Sequence, residues 1–206
     1  MQHLIVATRN AQKTREIQRI LGADFAVSDL SAYPETPETV ETGKTFEENA
    51  VLKATAAARQ LPGFVVADDS GLEVDALGGA PGIYSARYAG QNATDKQNID
   101  KLLAELARIE RAKRSARFRC VIALAREDKL LGTFEGVVEG VVVDPPRGRS
   151  GFGYDPVFMP RGFGKTFGQL SPTEKDRVSH RAHALEKLRV LLSVLSKAKE
   201  SRAKKS

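Results

Sequence analysis

Apolar positions change their period several times along this chain. Leu4-Ile5-Val6-Ala7 is a short continuous apolar run, the pattern of a strand buried on both faces. Beyond the turn-prone Arg9-Asn10, Ile17, Ile20 and Leu21 share one helical face and Gly22 follows, which predicts a helix over about Ala11 to Leu21. Tyr33 to Gly43, crowded with Pro, Thr and Glu, reads as a long loop. Thr45-Phe46-Glu47-Glu48 has capping-box spacing and opens a second helix towards Leu61, stopped by Pro62-Gly63. Phe64 to Ala67 is another buried strand, which the pattern ends at Asp68-Asp69-Ser70-Gly71. Gly78-Gly79-Ala80-Pro81-Gly82 must be loop. Thr94 and Gln97 cap a third helix through about Ile109, turning Ile99, Leu102, Leu103 and Leu106 inward. Arg117 to Ala125 and Leu130 to Val143 read as antiparallel strands across Glu127-Asp128-Lys129. Residues 145–168 are rich in Gly, Pro and aromatics. Ser171-Pro172-Thr173-Glu174 combines N-cap, N1 proline and capping glutamate, and opens the C-terminal helical region. Early βαβ alternation followed by a hairpin predicts an α/β fold with a mixed sheet.

Composition narrows this picture without deciding it. The 206 residues, 41% hydrophobic and 28% charged, suit a globular chain with a real core. No apolar run is long enough to cross a membrane, and Leu4 to Ala7 lacks the basic flank of a signal peptide. The single cysteine, Cys120, sits among Val121, Ile122 and Leu124, which fits a buried strand position and a reducing, cytoplasmic setting. Net charge is +6, and Lys197, Lys199, Arg202, Lys204 and Lys205 form a basic tail that reads as the frayed end of a helix. Nucleic-acid binding is disfavoured, because aromatics are only 6% and no known binding motif is present.

Four segments carry candidate chemistry. Thr8-Arg9-Asn10-Ala11-Gln12-Lys13 lies where a strand gives way to a helix, so free backbone N–H groups there attract anions. Lys13 is a cation near a helix N-terminus and wants an anion beside it; the alternative is that Asn10 merely caps the helix. Asp68-Asp69-Ser70-Gly71 offers two carboxylates at a strand exit, able to hold Mg²⁺ or an attacking water, against the alternative of an Asx turn. The nearby loop glutamates Glu35, Glu38 and Glu41 are potential partners, and spacing does not choose among them. Ser150-Gly151-Phe152-Gly153-Tyr154-Asp155-Pro156 flanks an aromatic ring with flexible glycines, which suits stacking on a nucleobase as well as simple loop packing. In Lys175-Asp176-Arg177-Val178-Ser179-His180-Arg181, continuous helical spacing puts Arg181 inside the apolar stripe of Val178, Ala182, Leu185, Leu188 and Leu192. A buried cation needs a partner, such as Asp155 or the edge of a bound base. The same spacing points His180 nearly the opposite way.

Together these segments resemble the inosine/xanthosine triphosphate pyrophosphatase family. The matching pieces are Thr8-x-Asn10-x-x-Lys13, Glu41-Thr42-Gly43, Phe46-x-Glu48-Asn49-Ala50 with Lys53, and Ala67 to Leu72. Further matches are Gly78 to Gly82 through Ser85-Ala86-Arg87-Tyr88, Gly151 to Pro156, and Glu174-Lys175 with Ser179-His180-Arg181. The resemblance spans residues 4–195, so residues 1–196 are read as one two-lobed domain and 197–206 as the basic tail. It implies a long, mixed, twisted sheet flanked by helices, two lobes around a nucleotide cleft, a homodimer, and hydrolysis of non-standard purine triphosphates with Mg²⁺. By carry-over, Asp69 is the general base or water-orienting carboxylate and, with Glu41, a metal ligand. Thr8, Asn10, Lys13, Lys53 and Ser70 hold the triphosphate. Phe152, Gly153, Tyr154 and Asp155 form the base loop, and Lys175, His180 and Arg181 meet the base edge.

Overall fold

The computed structural model describes the backbone of residues 2–203 and the side chains of residues 2–195. The basic tail singled out above therefore lies outside the described side chains. Six strands form one sheet in the order β2-β1-β3-β4-β5-β6. They are β1 (Gln2–Val6), β2 (Phe25–Asp29), β3 (Phe64–Val74), β4 (Ser115–Arg126), β5 (Lys129–Val142) and β6 (Phe158–Pro160). β1 pairs in parallel with β2 and β3, whereas β3, β4, β5 and β6 pair antiparallel in succession. The helices are α1 (Ala11–Leu21), α2 (Phe46–Ala58), α3 (Asp95–Glu105), α4 (Pro172–Val178) and α5 (His180–Ala203).

The caps behave as their residue types require. Asn10, Thr45, Thr94 and Ser171 each accept a hydrogen bond from a backbone N–H in the first turn of the helix they precede. The Thr94 and Ser171 boxes are reciprocal. At α2 the Glu48 carboxylate instead accepts from the backbone N–H of Lys44, at 2.6 Å.

Alternation along the strands sorts the core into layers. Ile5 and Ala7 join Val65, Ala67, Val121 and Ala123 against the alanine face of α2. Leu4 and Val6 join Val66, Cys120, Ile122 and Leu124 on the other face, against Ile17 and Leu21 of α1 and Leu185, Leu188 and Leu192 of α5. A third cluster, around Leu72, Leu102, Phe118, Phe158 and Phe167, occupies the far end of the long strands. The cleft described below opens between it and the first two.

Three expectations fail in detail. β3 does not stop at Asp68; it continues to Val74, paired with β4 along its whole length. The C-terminal helix is not continuous: Ser179 is extended (ψ 155°) and separates α4 from α5. That break changes the phase of the helix, so His180 is buried together with Arg181 instead of facing away. Finally, two edge strands do not stand out from the sequence pattern: Phe25–Asp29 ends in the polar Ser28-Asp29, and Phe158–Pro160 has only three residues.

Candidate active site

The cleft starts where β1 ends. Asn10 Oδ1 accepts from the backbone N–H groups of Gln12 and Lys13, at 2.9 and 3.3 Å, so its capping role is real, and it lines the cleft as well. Lys13 finds its anion in Asp68, with Nζ 2.5 Å from Oδ1. Thr8 Oγ1 accepts from the backbone N–H of Asn10 at 3.1 Å and holds the turn, without lining the cleft.

Adjacent residues of a strand face opposite sides, and the two aspartates divide accordingly. Asp68 points to the α1/α5 side. There it meets Arg181 Nε at 2.9 Å, the thiol of Cys120 at 3.0 Å and the hydroxyl of Ser70 at 3.1 Å. Asp69 points to the α2 side. Its Oδ1 lies 2.8 Å from Lys53 Nζ, and its Oδ2 accepts from Asn49 Nδ2 at 3.3 Å. The two carboxylates thus face opposite sides of the sheet and do not converge on one point. Glu41, from the long loop before α2, is the acid that joins Asp69: Lys53 Nζ sits 2.8 Å from Glu41 Oε1 as well, bridging both carboxylates. Lys53 lies beneath the cleft and not in its lining. The described residues contain no group of three or more His, Cys, Asp or Glu placed to cage a metal.

At the other side of the cleft, Asp155 holds the turn of the aromatic loop by accepting from the Phe152 N–H at 2.9 Å. Lys175 Nζ lies 2.5 Å from Asp155 Oδ2 and 2.7 Å from Glu16 Oε1. The other Glu16 oxygen pairs with Arg181 Nη1. Both cations sit against the Phe152 ring, Lys175 Nζ at 5.0 Å and Arg181 Cζ at 5.7 Å from its centroid. Gly153 donates its N–H to Asp95, and the Tyr154 hydroxyl donates to the Ser85 carbonyl, so the loop is tied to the neighbouring segment. Gly151 has φ +76°, and a Cβ there would lie 1.8 Å from Asp155 Oδ2, so only glycine fits this turn. His180 stacks on Phe118, with centroids 4.7 Å apart and planes 8° apart, and its Nδ1 is buried with no partner in the protein. The enclosed space is about 300 Å³.

With this geometry in view, comparison with known proteins is decisive. The Ham1 family profile matches residues 4–191. The chain belongs to the Ham1 family. It is 49% identical over 193 residues to a dITP/XTP pyrophosphatase of Bacillus licheniformis, covering 93% of this chain and 98% of that one. A dITP/XTP pyrophosphatase of Geobacter sulfurreducens is 50% identical over 190 residues, covering 92% and 96%. Among solved structures, the Ham1 protein of Staphylococcus aureus superposes with a TM-score of 0.82 at 44% identity, over 93% of this chain and 98% of that one. The Ham1 protein of Coxiella burnetii gives 0.83 at 42%, over 94% and 99%.

Electrostatics give the two aspartates of this Ham1-family cleft different characters. Burial alone would raise both carboxyls. For Asp68, Arg181 and Lys13 outweigh burial and hold it well below the usual carboxylate range. For Asp69, burial wins over Lys53 and Lys13, and its carboxyl is pushed above the ordinary value. Asp68 is thus a permanent anion that locks two cations, and Asp69 is the more basic, cleft-facing group. Burial, reinforced by Arg181 and Lys175, drives His180 well below the usual histidine range, so its ring is neutral near pH 7.

Asn10, Lys13, Glu41, Asp69 and Ser70 come together in one cleft with the Phe152 to Asp155 loop, Lys175, His180 and Arg181. Of the partners open to Arg181, an acid such as Asp155 or the edge of a base, the structure supplies acids, but they are Asp68 and Glu16, and Asp155 goes to Lys175. Glu16 was overlooked, although a carboxylate beside Ile17 on the inward face of α1 is the same signal that marked Arg181. Arg87, whose Nη1 lies 3.0 Å from Glu41 Oε2, and Asn49 appeared only inside family motifs, with no role attached.

Proposed function

We propose that this chain hydrolyses non-standard purine nucleoside triphosphates, those of inosine, deoxyinosine and xanthosine, to the monophosphate and pyrophosphate, and so cleanses the nucleotide pool. The observation that carries the reading is Asp69: a buried carboxylate of raised basicity, facing the cleft between a cluster of lysines and an aromatic base pocket. In that role Asp69 orients a water and takes its proton as the water attacks the α-phosphorus. Lys13, in the cleft lining, stabilises the charge that develops on the leaving pyrophosphate, and Lys53 adds its positive field from behind Asp69 and Glu41.

The donor set suits Mg²⁺. Asp69 and Glu41 bring hard carboxylate oxygens close together, each 2.8 Å from the Lys53 Nζ that bridges them, and Mg²⁺ in nucleotide enzymes takes one or two carboxylates and fills its shell with water and phosphate oxygens. When bound, Mg²⁺ neutralises phosphate charge and acidifies water.

The base is stacked on Phe152. His180 Nδ1, buried and without a partner in the protein, can donate to the 6-oxo group that hypoxanthine and xanthine share. The 6-amino group of adenine would present a donor to that donor. Most of the Arg181 donors are engaged by Asp68, Glu16 and Ser70, so we read Arg181 chiefly as the group that positions this wall. The homodimer, on the family resemblance, and the cytoplasmic setting, on the lone Cys120, belong to the same reading, and sedimentation checks the former.

Pyrophosphate release from a panel of triphosphates, with and without Mg²⁺, tests the assignment. Metal-dependent hydrolysis of inosine and xanthosine triphosphates is expected, with little on ATP and a loss of about a hundredfold or more in Asp69→Asn. GTP shares the 6-oxo group, so little hydrolysis of it is expected only through rejection of its 2-amino group. Equal rates on all purines would remove the base selectivity. Undiminished activity in Asp69→Asn would remove the mechanism.

A further inference from the structure

We propose that Arg87 is a pyrophosphate-gripping residue stored on Glu41 and set free when a divalent cation takes that acid; this rests on the metal reading above. Both Glu41 oxygens are occupied by cations of the protein: Oε1 by Lys53 at 2.8 Å and Oε2 by Arg87 Nη1 at 3.0 Å. A metal ion that binds Glu41 must displace at least one of them. Lys53 is the poorer candidate to leave. Its side chain is only 13% exposed, and its Nζ also holds Asp69 Oδ1 at 2.8 Å and the Asp68 carbonyl at 3.0 Å. Arg87 is 31% exposed, and among the described residues its other partner is the face of the exposed Tyr84 ring, 5.5 Å away.

The place Arg87 would move to is also defined. Glu41, Ile83 and Arg87 form a wall shared by the nucleotide cleft and a wider groove of about 1130 Å³. Arg87 lines the cleft together with Asp69, Glu41 and Phe152, so a nucleotide stacked on Phe152 with its α-phosphorus at Asp69 would have to lay its leaving phosphates within reach of that wall. A guanidinium matches phosphate oxygens as a two-pronged donor, which an ammonium does not. Arg87 would therefore exchange one oxyanion, the Glu41 carboxylate, for another, the β- or γ-phosphate. The cation and the substrate then favour one another, because the metal liberates a substrate ligand.

The exchange makes two predictions of opposite sign for Arg87→Ala. Mn²⁺ binding without nucleotide, followed by the loss of the free-ion paramagnetic resonance signal, should tighten several-fold, since a competing positive charge is gone. Binding of inorganic pyrophosphate in the presence of Mg²⁺, by calorimetry, should weaken about ten- to hundredfold, the loss of one charge-assisted contact. Arg87→Lys should recover part of the pyrophosphate affinity. If Arg87 only props Glu41 in place, Mn²⁺ binding would weaken in Arg87→Ala; that result, or no change in either affinity, overturns the proposal. Wild-type protein that binds no Mn²⁺, with or without pyrophosphate, would remove the metal reading and this inference with it. Normal wild-type binding with an indifferent Arg87→Ala would remove this inference alone.

Discussion

Replacing Glu16 by glutamine tests whether the buried charge network is part of what holds the fold together. Glu16 is 4% exposed and sits between Lys175, 2.7 Å from Oε1, and Arg181, paired through Oε2. The substitution keeps volume and one acceptor, but it removes a full charge and aims an amide N–H at a cation. Breaking a buried pair by neutralising one partner costs about 3–5 kcal/mol. The retained acceptor and the remaining anions, Asp68 and Asp155, argue for the lower end, about 3 kcal/mol. With a urea m-value of about 2–3 kcal/mol/M, the unfolding midpoint should fall by about 1–1.5 M. Equilibrium urea unfolding followed by circular dichroism measures this, with Glu35→Gln in the exposed loop as a control that should shift by less than about 0.5 kcal/mol. Adding Lys175→Met should cost less than the sum of the single changes by about 1 kcal/mol or more, because the two residues are in direct contact. A midpoint shift below about 0.3 M, or strict additivity, would mean that the network is solvated and contributes little.

The remaining expectations concern the cleft. His180 is neutral and buried, and its folded-state value is depressed by burial first and then by Arg181 and Lys175. Above the unfolded-state value of about 6.5 the ring is neutral in both states; below it the unfolded chain takes up a proton that the folded chain refuses. Stability is therefore lost as pH falls, by about 1.4 kcal/mol per unit below about pH 6.5, and His180→Gln should lack that slope. Parallel curves for the two proteins between pH 7 and 5 would refute it. Phe152→Ala should raise KM for inosine triphosphate about five- to hundredfold through lost stacking, while leaving the affinity for inorganic pyrophosphate unchanged. Weakening of both by the same factor would show that the ring supports the whole cleft and not the base.

Local chemistry was readable wherever one residue governs one turn. Asn10, Thr45, Thr94 and Ser171 announced four helix starts, and Glu127-Asp128 announced the β4–β5 hairpin, because caps and tight turns depend on near neighbours. β3 was not readable beyond Ala67. Its polar stretch Asp68-Asp69-Ser70 stays in the sheet because Arg181, Lys13 and Lys53, all remote in sequence, neutralise the two carboxylates from opposite faces. The break at Ser179 was hidden for a related reason: every residue from Pro172 to Ala182 except Ser179 is helical, and helical propensity gives no sign of one extended residue. Glu16 could have been found. Its place on the inward face of α1 posed the same question as Arg181, and each is part of the answer to the other.

Gly136 of β5 allows the first turn of α5 to press directly on the sheet: a Cβ there would stand 2.0 Å from the His180 carbonyl and 2.6 Å from the Ala184 N–H. One helix thus begins in the base pocket and carries Leu185, Leu188 and Leu192 into the core. A change in leucine packing three turns away should be transmitted to His180 and Arg181 as a small shift of the helix's tip. Variants that alter which bases are accepted should therefore arise inside the hydrophobic core as well as around the cleft. A search for them confined to residues that touch the nucleotide would overlook part of the accessible mutational landscape.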